Sequence, residues 1–107
     1  MSNSENKKFG IDELIENEKK RNREERSALA NEIEQLPKGS LCVRAVNGRK
    51  YCYLRYREGA RIVTNYAGTI KKQLEIQKLL EKRQKIIDQI KALDAEYERM
   101  EKMEAMK

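Results

Sequence analysis

Residues 50–59, KYCYLRYREG, hold three tyrosines and three cationic side chains in a chain with five tyrosines, one phenylalanine and no tryptophan. Tyr51 and Tyr53 stand two residues apart, so on a strand their rings project from one face about 6.6–6.8 Å apart. Arg44, Arg49, Arg55, Arg57 and Arg61 surround them in sequence. Such a face can stack unpaired bases on its rings while the guanidiniums take phosphates. A two-stranded ribbon is also narrow enough to enter the major groove of a duplex. The same cations suit an acidic protein surface, which makes an adapter or inhibitor without nucleic-acid contact the alternative. A blander reading has tyrosine as a favoured strand residue and arginine as a solubilising edge residue. A tyrosine nucleophile can be drawn at Tyr66 or Tyr53. However, the only acid in residues 37–68 is Glu58, and the chain has no histidine to serve as general base. No catalytic residue is assigned, and the chain is expected not to be an enzyme.

Absences narrow the chemistry further. With no histidine and two cysteines, neither a zinc ligand set nor a Cys–His pair can be assembled in one chain. The five glycines are isolated and make no phosphate-cradling loop. No metal, cofactor or small-molecule substrate is therefore expected. No apolar run reaches membrane length and no hydrophobic signal region opens the sequence, so the expected location is cytoplasmic, with Cys42 and Cys52 reduced. The net charge of +6 is unevenly spread. Residues 1–36 carry seven Lys/Arg against nine Asp/Glu, residues 37–68 seven against one, and residues 69–107 ten against eight. The middle third holds an excess equal to the whole net charge.

Three segments must position these residues, behind a polar lead over 1–10 that is expected to be disordered. Residues 11–36 read as a charged helix. Leu29, Ile33 and Leu36 fall on one stripe, and Ile11, Leu14 and Ile15 form a second cluster behind the acidic first turn of Asp12 and Glu13. Between them ENEKKRNREERS contains no apolar residue, and its KKRNRE patch is read as a solvated helix face rather than a nucleic-acid patch. Pro37 stops the helix.

Residues 37–68 read as a basic β-ribbon. Asn47-Gly48 is the strongest short hairpin signal. A two-residue turn there sets Val46 opposite Arg49, Arg44 opposite Tyr51, Cys42 opposite Tyr53 and Leu41 opposite Leu54. One face is then Leu41, Val43, Ala45, Cys52 and Leu54, which should supply the core. The other carries the tyrosines and arginines. Cys42 and Cys52 fall on opposite faces, which argues against a disulfide. A third strand over 61–66 follows a turn at Glu58-Gly59. An even loop sets Tyr53 opposite Thr64 and Tyr51 opposite Tyr66; a three-residue loop would turn that strand's side chains to the other face. Gly68 should end the ribbon.

Residues 69–104 read as a coiled-coil helix on the order of 50 Å long, followed by a tail over 105–107. Ile76, Arg83, Ile90 and Tyr97 take position a, and Leu79, Ile86, Leu93 and Met100 take d. The first helix can cover the ribbon end, but its polar stretch is expected to cover Ile86 to Met100 poorly, the alternative being that Leu14 and Ile15 alone cover them within a monomer. The predicted oligomer interface is therefore Ile76, Leu79, Ile86, Ile90, Leu93, Tyr97 and Met100, most economically in a homodimer. The expected fold is α+β: two long helices in an antiparallel hairpin or coiled coil, with a small three-stranded antiparallel sheet inserted between them.

LPKGSL, NGRKYCYLRYREGARIVTNYAG and the helix after it resemble a group of small bacterial proteins of unknown function. Those share an LPKGS lead, a YYYL-type strand, a glycine turn followed by a basic residue, a Tyr-x-Gly ending and a coiled-coil tail. The resemblance covers about residues 36–104. A looser similarity is to the tyrosine-rich ribbon at the start of some insertion-sequence transposases. Cys52 stands where tyrosine is expected and Ala60 where glycine is, and the basic positions match. The resemblance implies a mobile-element or phage setting and dealings with nucleic acid; it implies no catalytic activity.

Overall fold

A computed structural model of the chain describes residues 10–106. The remainder of the expected lead, the side chains of Ile11 and Asp12, and Lys107 lie outside the described residues. Helix α1 (Ile11–Glu34) is followed by strands β1 (Ser40–Val46), β2 (Arg49–Glu58) and β3 (Arg61–Thr69), a 3₁₀ turn (Ile70–Lys72) and helix α2 (Gln73–Ala105). The expected α+β architecture is thus the observed one, with two helices flanking a small antiparallel sheet of order β1-β2-β3. The chain divides into two compact units. One contains α1 up to Asn31 together with α2 from Asp88, and the other runs from Glu32 to Ile87.

In the helical unit, α1 begins where the Gly10 carbonyl accepts hydrogen bonds from the N–H groups of Glu13 and Leu14. Up to Asn31 its buried and half-buried residues are Ile15, Lys19, Asn22, Arg26 and Leu29. Their spacing of four, three, four and three is a heptad seam. The middle three are polar, and they meet α2 in antiparallel order. Lys19 donates to Glu104 at 2.8 Å, Asn22 to the Leu93 carbonyl at 2.8 Å and to Glu96 at 3.1 Å, and Arg26 to Asp94 at 2.8 Å. Three cations of α1 stand near the Tyr97 ring, with Arg26 at 4.7 Å, Lys19 at 5.1 Å and Arg23 at 6.0 Å from its centroid. The hydrogen bond that Lys19 donates to Glu104 holds its amine above the ordinary value, with burial pulling the other way.

This overturns the expectation that the polar stretch covers the α2 stripe poorly. Lysine and arginine stems cover apolar surface while their heads reach carboxylates. Leu93 and Tyr97 are half-buried and Met100 is 8% exposed. In the other unit Ile76 and Ile86 are buried and Leu79 is half-buried. The seven residues expected to face a second copy are covered to this degree within one chain, Ile90 included. The polar seam is not free of cost: Oδ1 of Asn22 and Nε of Arg26 are buried without a hydrogen-bond partner.

In the sheet unit, α1 ends as the N–H groups of Gln35 and Leu36 bond back to Glu32 and Ile33, and Pro37 prevents continuation. Gly39 has φ 106°, and a Cβ on it would lie 2.6 Å from the Arg55 carbonyl oxygen. Only glycine lets β1 approach β2 at that point. The β1–β2 register is the expected one at every pair from Ser40↔Arg55 to Val46↔Arg49, with Asn47 at φ 52° in the turn.

The β2–β3 register differs from expectation. The turn is Gly59-Ala60, so Glu58 opposes Arg61 and Tyr53 opposes Tyr66, where Thr64 was expected. Gly59, at φ 63°, stands at the first central position, where a type II′ turn wants glycine. That moves the pairing by two residues, which keeps every β3 side chain from Arg61 to Tyr66 on its expected face. A register shift between Tyr53 and Cys52 then leaves Ala67 as the extra residue of a bulge, with Gly68 opposite Cys52 and Thr69 opposite Tyr51. β3 therefore runs past Gly68, which was expected to end it.

The aliphatic face of the sheet supplies core chiefly at its middle. Cys52 is fully buried, with its thiol directed at the Thr69 carbonyl at 3.6 Å, and the 3₁₀ turn packs against β2 and β3. Leu41 and Leu54 are half-buried, while Val43 and Ala45, toward the Asn47-Gly48 turn, stay exposed.

Candidate functional site

The face of the sheet opposite Cys52 carries Arg44, Arg49, Tyr51, Tyr53, Arg55 and Arg57, six of the seven residues predicted to bind nucleic acid. Strand alternation is the cause, since residues 49, 51, 53, 55 and 57 of β2 share one side and Arg44 lies directly opposite Tyr51. Arg61 is not among them. It pairs with Glu58 on the other side of the sheet, beside the Gly59-Ala60 turn. Its place in the list reflected its nearness in sequence, and the alternation moves it off the face.

Tyr66 enters instead. It lies opposite Tyr53, and its ring centroid is 5.8 Å from that of Tyr53 and 6.1 Å from that of Tyr51, at interplanar angles of 70° and 59°. Tilted contacts at this separation are the favourable geometry for aromatic pairs. Tyr66 is 59% exposed, and Tyr51 and Tyr53 are half-buried. The Arg44 guanidinium carbon stands 5.3 Å from the Tyr53 ring centroid. The signal for Tyr66 was present in the sequence as the even parity of the second loop. Val46 and Ile62 are exposed on the same face, where the first turn and the parity of the second loop respectively put them.

The electrostatics of this face are one-sided. No Asp or Glu projects from it, and the only acid in the three strands, Glu58, lies on the other side. Cross-strand neighbours offer no counter-charge: Arg55 faces Ser40 and Thr64, Arg57 faces Ile62, and Arg49 faces Val46. Ion pairs such as Arg21 with Glu18 and Lys82 with Glu32 join helical residues. Arg44, Arg49, Arg55 and Arg57 are exposed and have no carboxylate partner. A shallow open depression of about 530 Å³ continues the face, lined by Gly39, Ser40, Cys42, Arg55, Tyr56, Arg57 and Ile62.

The third tyrosine of the opening stretch has a different task. Tyr56 lies on the other side of the sheet, where its hydroxyl accepts a hydrogen bond from Asn65 at 3.2 Å and the Lys38 ammonium stands 4.5 Å from its ring centroid. With Ile33, Leu36, Pro37 and Leu54 it lines a second cavity of about 530 Å³. The LPKG segment is thus tied to packing around Tyr56 and to the close approach at Gly39.

No group of three or more His, Cys, Asp or Glu side chains among the described residues is placed to hold a metal ion. No helix among them is long and apolar enough to cross a membrane. These features define a small α+β domain whose sheet turns an aromatic and cationic face to solvent. The chain belongs to the family described as Domain of unknown function (DUF6788), which matches residues 15–75, more than half of its length. No curated protein and no solved structure matches it.

Proposed function

We propose that this domain is a non-catalytic nucleic-acid-binding module that works through the open face of its sheet. The observation that carries this reading is the company of the four arginines: they surround three tyrosines, of which Tyr66 touches the other two, lie open to water and have no acidic neighbour. Guanidiniums gathered without counter-ions repel one another, and a polyanion relieves that repulsion while releasing its own condensed cations. Tyrosine rings between them offer flat apolar contact to bases. The wider resemblance to mobile-element proteins points the same way.

The test is fluorescence anisotropy with labelled oligonucleotides at low salt. Binding is expected, and Tyr53→Ala and Arg55→Ala should each weaken it while circular dichroism stays unchanged. Arg21→Ala, on the solvent side of α1, should leave binding intact. If no oligonucleotide binds at low salt, the reading fails. Retention of an acidic protein by the same face, with the same variants losing it, would then establish the adapter alternative.

A further inference from the structure

We infer that the face takes single-stranded rather than duplex nucleic acid, an inference that rests on the nucleic-acid reading above. The first argument is width. A major groove about 12 Å wide admits a helix or a two-stranded ribbon. Here β3 accompanies β2 from Glu58 back to Tyr51, leaving only Arg49 and Lys50 of β2 unpaired on that side. Three strands at about 4.8 Å spacing set the outer backbones roughly 10 Å apart before side chains are added. All three tyrosines lie on this three-stranded part, so the groove entry open to a bare hairpin is closed to them.

The second argument is the chemistry of the face. Duplex sequence is read at base edges by Arg or Lys at guanine and by Asn or Gln at adenine. The face has arginines but no Asn or Gln; Asn65 points to the other side and is engaged with Tyr56, so what sets this face apart from an edge-reading one is its centre. What stands at the centre is aromatic. The tyrosine rings meet at 59° and 70°, so their flat surfaces are not consumed by stacking on one another. A ring face can be used by a base only where that base is unpaired and splayed out. Tyr66, touching both other rings and the most exposed of the three, is the centre of this platform.

The experiment uses the full chain and one labelled strand of about 16 nucleotides, long enough for a single site of this kind. It is presented as DNA, as RNA and annealed to its DNA complement. The single strands should bind at least about tenfold more tightly than the duplex, and Tyr66→Ala should cost them about 5- to 150-fold. Duplex binding, driven by phosphates alone, should change little. Tyr66→Phe keeps the ring and should keep the affinity, which separates stacking from loss of fold. Because the chain lacks tryptophan, intrinsic tyrosine emission reports directly, and it should be quenched by single strands and not by duplex. Duplex binding as tight as single-strand binding would overturn the inference and leave the nucleic-acid reading standing. A single-strand preference indifferent to Tyr66→Ala would overturn the platform. Absence of binding to any of the three would remove both.

Discussion

The four unpartnered arginines set a quantitative expectation. Each phosphate neutralised on a single strand adds about 0.7 to the slope of log affinity against log salt. Arg44, Arg49, Arg55 and Arg57 share the tyrosine face, and Arg61 does not. Four contacts give a slope of about −2.8, a loss of roughly 50-fold between about 50 and 200 mM salt. Arg55→Ala should lower the slope to about −2.1, and the loss over the same range to roughly 18-fold. Arg61→Ala removes the same charge from the same chain but from the other side of the sheet, so its slope should stay near that of the unaltered protein. The assay is anisotropy with a single-stranded oligonucleotide over a series of salt concentrations, taking the slope and not one affinity. If Arg61→Ala flattens the slope as much as Arg55→Ala, attraction is diffuse and the facial argument is refuted. A slope shallower than about −1 would also refute it, since fewer than two of the arginines would then be meeting phosphate.

Gly39→Ala should destabilise the fold by at least about 1–3 kcal/mol, from the left-handed φ of 106° alone, with the overlap at the Arg55 carbonyl added. Thermal melting by circular dichroism checks this, against Gly10→Ala, where a Cβ meets nothing within 4 Å. Asn22→Leu should raise the melting temperature: losing two hydrogen bonds is offset by removing the buried orphan Oδ1 and by burying a leucine, for a net gain of about 1 kcal/mol. A lower melting temperature would show the polar seam to be net stabilising. The two thiols should differ sharply toward a chromogenic disulfide reagent, with half-buried Cys42 reacting in the native protein and fully buried Cys52 only on unfolding. Lys19 binds its proton more tightly in the folded chain than in the unfolded one. Its contribution is therefore complete below the ordinary lysine value and lost as pH rises through the folded-state value, so alkaline melting should be steeper for the unaltered chain than for Lys19→Gln.

The parts of this fold that sequence made legible are those governed by short-range rules. A two-residue Asn-Gly turn leaves one register for its strands, and the pairs from Leu41 to Leu54 follow from it. The heptad of α2 likewise marks its covered stripe. What escaped was decided by longer contacts. A hydrophobic pattern sees ENEKKRNREERS as bare, because it cannot credit Lys19, Asn22 and Arg26 with partners that lie 68 to 85 residues away. The second turn had glycine at one end and a neighbour on either side that could share it, so its centre was open by one residue. That choice altered the partner of Tyr53 and left the faces alone, which is why the aromatic cluster was anticipated with its members paired differently. Arg61 was grouped by proximity along the chain, a criterion that strand alternation defeats.

The hydrogen bond from Asn22 to a main-chain carbonyl of α2 has a mechanical consequence. Two helices joined only by leucines can slide past one another and find new company at every turn. Here a displacement of one turn, about 5.4 Å, would pull Asn22, Lys19 and Arg26 from their acceptors together and strand three polar groups in the seam. The pair behaves like a key in its wards: it closes at one setting, and a strange helix offered in place of either would have to carry the same teeth.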